Sequence, residues 1–429
     1  MADVVQIDSR KVPIRILMIL LLLAPLVWCW FVVRWYVGNT MADYFDPDEG
    51  DIRTLQIAAS MAPNDPLPHW RLGEIIQKRF PPDQISRAID EYETAVSLSP
   101  NDYRFWMSLG IALEQDGAVD RAEKALRRSV ELAPSYSFPA WYLGNLLLRE
   151  ARYPEAFAEL RRASESNSEL RPQLFNLAWE VYSPDVEAVK TAIGSSPEAR
   201  AQFAEYLMGR GRVEDSMSVW ANLSENEKKV NREAGRSMLS SLLAAKRFHN
   251  SVTIWNDISL SQNYRATIGK MLDGSFEDDL PRETDAFGWR VKGAPQMQIG
   301  IDPNMAHSGN RSLRLTFQVH SRLDAINVSQ MVAVMPATTY NFECYFRTQN
   351  LQSAATPLIH IVDAADGAFF ATSPAIPVGT KPWQQLTLSF KTGEKTEGII
   401  IQLARDSCGE NTVCPIFGTI WYDDFSLSR

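Results

Sequence analysis

Hydrophobic and polar positions follow three successive patterns along the chain. From Ile16 to Val33 the run ILMILLLLAPLVWCWFVV carries no charge. That length suffices to cross the hydrocarbon core of a bilayer as a helix. From Asp48 to about Gln262, apolar residues recur at helical spacing in blocks. From LDGSFEDD onward, short segments alternate apolar with polar, the period of strands. The order predicted is one long apolar helix, a helical array, and a β domain.

The helical blocks repeat. Pro63, Pro100 and Pro134 close successive helices in the contexts MAPND, LSPND and LAPSY, and Pro100 and Pro134 are 34 residues apart. Trp70…Leu72-Gly73, Trp106…Leu109-Gly110 and Trp141…Leu143-Gly144 open the units. Ala88…Tyr92…Ala95, Ala122…Leu126…Ser129 and Ala156…Leu160…Ala163 occupy their second halves. Small residues at these positions let two antiparallel helices press together, and each unit buries its apolar face only against its neighbours. RFPPDQ lengthens the inter-helix turn of the first unit. Beyond Arg171 the pattern decays, yet Ser216…Trp220…Leu223 matches Ser251…Trp255…Ile258 at a spacing of 35. About six helical hairpins are expected, clearest over 68–168.

These motifs resemble the tetratricopeptide repeat family. The resemblance implies a curved solenoid whose first helices line a groove for a peptide or protein. Groove candidates are Arg104, Met107 and Ile111 in the second repeat and Trp141, Asn145 and Arg149 in the third. Of the basic-and-asparagine set with which some relatives hold a peptide carboxylate, only Asn145 is suggested, so capture of a peptide C-terminus is not expected.

The alternating segments include LRLTFQV, YNFECYFRT, PLIHIVD, QLTLSFKT, GIIIQLAR and TIWYDDFSL, separated by turn signals such as SGNRS and TGEKTEG. Eight or more strands in about 158 residues predict a β-sandwich of jelly-roll type. The order DGSFE, SGNRSL (Ser308, Gly309, Ser312, Leu313) and a closing strand with Asp423-Asp424 is similar to carbohydrate-binding modules of the galactose-binding-like class. Those modules open on Asn-Gly-x-Phe-Glu, where this chain has Asp273. The alternation places Phe342, Cys344 and Phe346 in the core, leaving Glu343, Tyr345 and Arg347 outside. His360 and Gln402 are likewise outward on their strands. A face combining Glu343, Tyr345, Arg347, His360 and Gln402 is the expected glycan site, an aromatic ring meeting sugar C–H groups while polar groups fix hydroxyls. Trp289, Trp383 and Trp421 are expected in the core.

The pair Asp423-Asp424 raises the question of acid/base chemistry. Strand alternation sends the two side chains to opposite faces, which argues against a shared catalytic cleft. Asp423 has the parity of Trp421, Phe425 and Leu427 and is expected on the packed side, with Asp424 and Tyr422 outward. The resemblance implies either a structural calcium held by Glu277 and Asp423 or a hydrogen-bonded aspartate beside the Ser308-Gly309 turn. No cofactor is required by any motif. There is no Gly-rich phosphate loop and no His-Glu-x-x-His, and the five histidines are scattered, so no enzyme is expected.

Charge refines the picture. The chain has 429 residues and a net charge of −9. It lacks the Lys/Arg cluster that nucleic-acid binding needs, so nucleic acid is not an expected partner. Arg10, Lys11 and Arg15 precede the apolar run, and acidic residues from Asp43 to Asp51 follow it. The basic flank belongs in the cytoplasm, with the C-terminal bulk outside. An uncleaved signal anchor is favoured over a cleaved signal or a lipidated Cys29, and Trp28, Trp30, Trp35 and Tyr36 would form the aromatic belt. Cys344 reads as a buried core thiol, and Cys408 and Cys414 can close a short disulfide loop in an oxidising exterior. The organisation expected is a cytoplasmic N-terminus (1–15), a membrane span (16–36), a linker (37–47), tetratricopeptide-like repeats (48–265) and the β-sandwich (272–429). It implies a scaffold of the bacterial inner membrane, its bulk in the periplasm, binding envelope proteins through the repeats, a glycan through the sandwich and the lipid bilayer through the span. Such a scaffold would serve synthesis, export or ligation of a cell-surface polysaccharide. The alternative is an assembly factor of a secretion or surface-filament complex whose sandwich binds protein only.

Overall fold

The computed structural model describes residues 12–46, 50–79, 84–259, 264–280, 286–292, 297–318, 321–322, 327–406 and 413–429. These form two compact units, Met1–Gly194 and Ser195–Arg429.

The first unit opens with α1 (Val12–Asp43), which has Pro25 in its interior. It contains one stretch, Ile16–Asp43, long and apolar enough to cross a membrane. Residues 37–43, expected to begin a linker, are helical. Then follow α2 (Ile52–Met61), α3 (Pro66–Arg79), α4 (Ile85–Leu98), α5 (Tyr103–Gln115), α6 (Val119–Leu132), α7 (Ser137–Arg149), α8 (Tyr153–Ser166), α9 (Arg171–Tyr182) and α10 (Val186–Ile193). The pairs α3/α4, α5/α6 and α7/α8 are the three clear repeats. Their glycines sit at the closest helix approach. A Cβ on Gly73 would lie 2.6 Å from the Tyr92 ring, one on Gly110 2.6 Å from Leu126, and one on Gly144 2.7 Å from Leu160. Ala88, Ala122 and Ala156 are fully buried in the same seams. The lengthened turn of the first repeat falls at residues 80–83, outside the described residues.

The second unit begins with α11 (Pro197–Gly209), α12 (Val213–Ala221), α13 (Glu225–Val230), α14 (Arg232–Ala244) and α15 (Phe248–Ile258). The decayed motif still works: a Cβ on Gly235 of α14 would meet Ile258 of α15 at 2.4 Å. The β-sandwich follows, with strands β1 (Trp289–Lys292), β2 (Met297–Asp302), β3 (Ser312–Phe317), β4 (Ser321–Arg322), β5 (Asn327–Ala333), β6 (Thr339–Ser353), β7 (Leu358–Asp363), β8 (Phe369–Thr372), β9 (Gly379–Lys391), β10 (Gly398–Ala404), β11 (Val413–Cys414) and β12 (Ile416–Ser428). Two five-stranded sheets have the orders β1-β5-β10-β7-β8 and β2-β3-β12-β6-β9. Every described pairing within them is antiparallel. Their inner faces share one core, which includes Phe342, Cys344 and Phe346 from β6 and Ile399, Ile401 and Leu403 from β10.

The outer side of the first sheet is partly covered. Phe248, Val252 and Trp255 of α15 pack with Met331 and Ala333 of β5. His249 Nε2 lies 2.8 Å from the Val334 carbonyl. Cys414 is disulfide-bonded, and its expected partner, Cys408, lies outside the described residues. Cys344 is a free, fully buried thiol.

Candidate functional site

The five residues expected to make one glycan face do not share one. Glu343, Tyr345 and Arg347 lie on β6 of the second sheet, whereas His360 and Gln402 face each other across β7 and β10 of the first. Both sets point away from the common core, so they lie on opposite outer sides of the sandwich. The alternation expected within β6, β7 and β10 holds. The strand order that separates the sets is not visible in local periodicity.

The second sheet assembles a different cluster around Tyr345. In register, Tyr345 sits between Asp423 of β12 and Gln385 of β9. The His307 ring stacks on it at 3.7 Å and 12°. Trp383 meets the same imidazole edge-on, with centroids 5.7 Å apart. Trp383 is thus on the outer face and not in the core, unlike Trp289, which belongs to the core. Trp421, also expected in the core, lies on the outer side as well: it pairs with Arg314 and Arg347, is buried there, and donates its indole N–H to Asp302 at 2.8 Å. Tyr345 hydrogen-bonds Glu343, and burial followed by that carboxylate raises its hydroxyl pKa. His307 is exposed, and Tyr345 and Trp383 are half-buried.

The paired carboxylates hold His307 in place. Asp424 has φ +49°, at an irregularity where β12 shifts register against β6 between Asp423 and Ser426. The alternation therefore breaks at this residue. Tyr422, expected outward, is fully buried, and Phe425 after the bulge also enters the core. Asp423 and Asp424, expected on opposite faces, both reach the 307–308 segment. Asp423 Oδ2 accepts the backbone N–H groups of His307 (2.7 Å) and Ser308 (3.2 Å), and its Oδ1 accepts that of Asp424 (2.8 Å). Asp424 accepts from His307 Nδ1 and from the Ser308 hydroxyl, both at 2.7 Å. Burial raises the Asp423 pKa against the pull of these donors.

Glu277 completes the clamp. Its Oε1 accepts the N–H groups of Asn310 (2.8 Å) and Arg311 (3.1 Å). Gly309, at φ +64°, leaves room for it: a Cβ there would lie 2.3 Å from Oε1. These contacts do not fit the expected calcium site. Glu277 Oε1 and both Asp423 carboxylate oxygens accept peptide N–H groups, which a cation would repel. Among the described residues no group of three or more His, Cys, Asp or Glu side chains could hold a metal. The other implied arrangement, a hydrogen-bonded aspartate beside the Ser308-Gly309 turn, is the one observed.

In the repeats, four groove candidates come together. Ile111, Trp141, Asn145 and Arg149 line an open pocket of about 570 Å³ between α5 and α7, with Glu114 and Tyr142. Arg149 Nε donates to Glu114 at 2.6 Å, and Asn145 donates to the Trp141 carbonyl at 2.8 Å. Arg104 and Met107 are not among the lining residues. Arg104 pairs with Asp102 at 2.6 Å and lies over the Trp70 ring, while Met107 packs against the helical core.

The tetratricopeptide repeat family model matches residues 83–137. A segment of 82 residues is 30% identical to the peroxisomal targeting signal receptor of Saccharomyces cerevisiae, covering 19% of this chain and 13% of that protein. The chain thus spans only a small part of this curated relative. Among solved structures, MamA of Desulfovibrio magneticus RS-1 is similar at 18% identity, over 38% of this chain and 88% of that one, with a TM-score of 0.31. The CBM22-1 xylan-binding domain of Paenibacillus barcinonensis Xyn10C is similar at 17% identity, over 38% and 96%, with a TM-score of 0.26. The chain carries tetratricopeptide repeats, preceded by an apolar helix and followed by an antiparallel β-sandwich.

Proposed function

We propose that this protein is a non-catalytic, membrane-anchored envelope scaffold that binds a glycan on the His307–Tyr345–Trp383 face and protein partners through its repeats. The observation that carries the reading is that aromatic cluster. An exposed imidazole, a tyrosine and an indole converge on one outer sheet face with Glu343 and Arg347 beside them. Rings supply apolar surface for sugar C–H groups, and flanking charges supply hydroxyl partners. The opposite outer face, with His360 and Gln402, belongs to the sheet that α15 partly covers.

The repeats support a protein ligand, and the pocket between α5 and α7 is its place, with Trp141 as the apolar wall. α1 is the anchor, in the bacterial inner membrane. The basic residues before it favour a cytoplasmic N-terminus and place the bulk of the chain on the periplasmic side. Service in synthesis, export or ligation of a surface polysaccharide unites the three parts. Glycan arrays of envelope polysaccharides, probed with the full chain in detergent, test the reading. Retention of at least one polymer by the wild type and its loss in Trp383→Ala is the expected result. No binding to any polymer would favour a secretion or filament assembly factor whose sandwich contacts only protein.

A further inference from the structure

The sequence alone suggests that anchor and repeats are separate parts joined by a linker. The helix α1 contradicts that division. It runs on to Asp43, and its outer end enters the helical core, where Ala42 is fully buried in one cluster with Leu55, Ala58 and Leu72. Gly38 lies against α2, and a Cβ on it would be 2.8 Å from the Ala58 carbonyl and 3.0 Å from the Ala62 Cβ. Gly73, Gly110 and Gly144 make a comparably close approach in the later hairpins, and the contact of Gly38 is displaced about two turns along the partner helix.

Polar ties reinforce the packing. Trp35 Nε1 and Asn39 Nδ2 both donate to Asp65 Oδ2, at 2.9 and 2.7 Å. The Arg34 guanidinium donates to the Ser60 carbonyl. Asp65 in turn accepts the N–H of Leu67 at the start of α3, as Asp102 accepts that of Arg104 at the start of α5. The sequence carries the same copy. Trp35-Tyr36-Val37-Gly38 parallels Trp141-Tyr142-Leu143-Gly144. Ala58-Ala59-Ser60-Met61-Ala62-Pro63-Asn64-Asp65 parallels Ala95-Val96-Ser97-Leu98-Ser99-Pro100-Asn101-Asp102.

We infer that residues 34–43 of α1 and the helix α2 form an additional repeat at the head of the array, so that the membrane span and the first solenoid helix are one continuous helix. The inference rests on the proposed span. Its consequence is mechanical. Repeats couple through neighbouring interfaces, so the array stands on the bilayer at a fixed angle and the pocket between α5 and α7 at a fixed height. The path of α2 returns the chain toward the membrane, which brings loop 62–65 to the lipid headgroups beside Trp35. The partner of that loop is the bilayer interface.

Spin labels on the native Cys29, which is exposed in the span, and on Lys124→Cys in α6 test this in the full chain in lipid nanodiscs. A single narrow distance distribution is expected, together with broadening in Gly38→Leu. A broad wild-type distribution, as a flexible linker would give, overturns the inference, and so does a Gly38→Leu distribution as narrow as the wild type. Collision of the Cys29 label with oxygen rather than with a water-soluble nickel complex reports insertion separately. The reverse preference removes the span itself and the inference with it. A label on Asn64→Cys should be relaxed by nickel-chelating headgroup lipids; if it is not, loop 62–65 does not meet the bilayer.

Discussion

Single residues decide how the closing strand works. GTIWYDDFSLSR reads as regular alternation, but Asp424 adopts a left-handed conformation and resets the parity. A bulge depends on what the loop opposite demands, and no local pattern announces it. The opening motif has a similar subtlety. Asp273 also has a positive φ, +45°, a conformation in which asparagine and aspartate are both favoured. Its Oδ1 accepts the N–H of Glu277, and burial raises its pKa to about 6. The folded state therefore holds this proton more tightly than the unfolded chain does. The group's contribution to stability is greatest below pH 4, falls as pH rises through 6, and is a constant cost above that. Asp273→Asn, the residue of the similar modules, should stabilise the sandwich at pH 7 by about 1 kcal/mol, since half-exposure discounts the shift. Thermal melts of the full chain between pH 4 and 7 check it. The variant should lose part of the slope and not all, because Asp423 is shifted in the same direction.

At the scale of elements, the repeats were legible because their signal is local. A tryptophan, a leucine and a glycine in one helix and alanines in the next are enough to predict a seam, and the structure places Gly110 and Leu126 in it. Gly110→Val should overpack this seam and cost about 2 kcal/mol. Loss of helical ellipticity on heating should begin earlier in the variant, and an unchanged melt would show that the seam yields freely. The strands were legible in the same way: inward and outward residues of β6 follow from period two. Which outward residues meet was not legible. The company of Tyr345 depends on β12 and β9 being its neighbours and on a loop returning His307 over it. The histidine gave little signal beyond its place next to Ser308-Gly309, and Trp383 was indistinguishable from a core tryptophan.

At the scale of the whole molecule, the chain joins an apolar helix, a protein-binding type of repeat and a sandwich whose second sheet carries an aromatic cluster on its outer face. The order of parts was readable from three changes of period. The absence of a break between the first two was not, because an apolar run hides the repeat motif at its end. In the proposed function, the sandwich takes a glycan on the His307 side and not on the His360 side. Calorimetric titration of the polymer selected on the array, into the full-length wild type, Trp383→Ala and His360→Ala, tests it most directly. At least tenfold weaker binding is expected for Trp383→Ala and wild-type affinity for His360→Ala. Wild-type affinity in Trp383→Ala, or loss confined to His360→Ala, would contradict it.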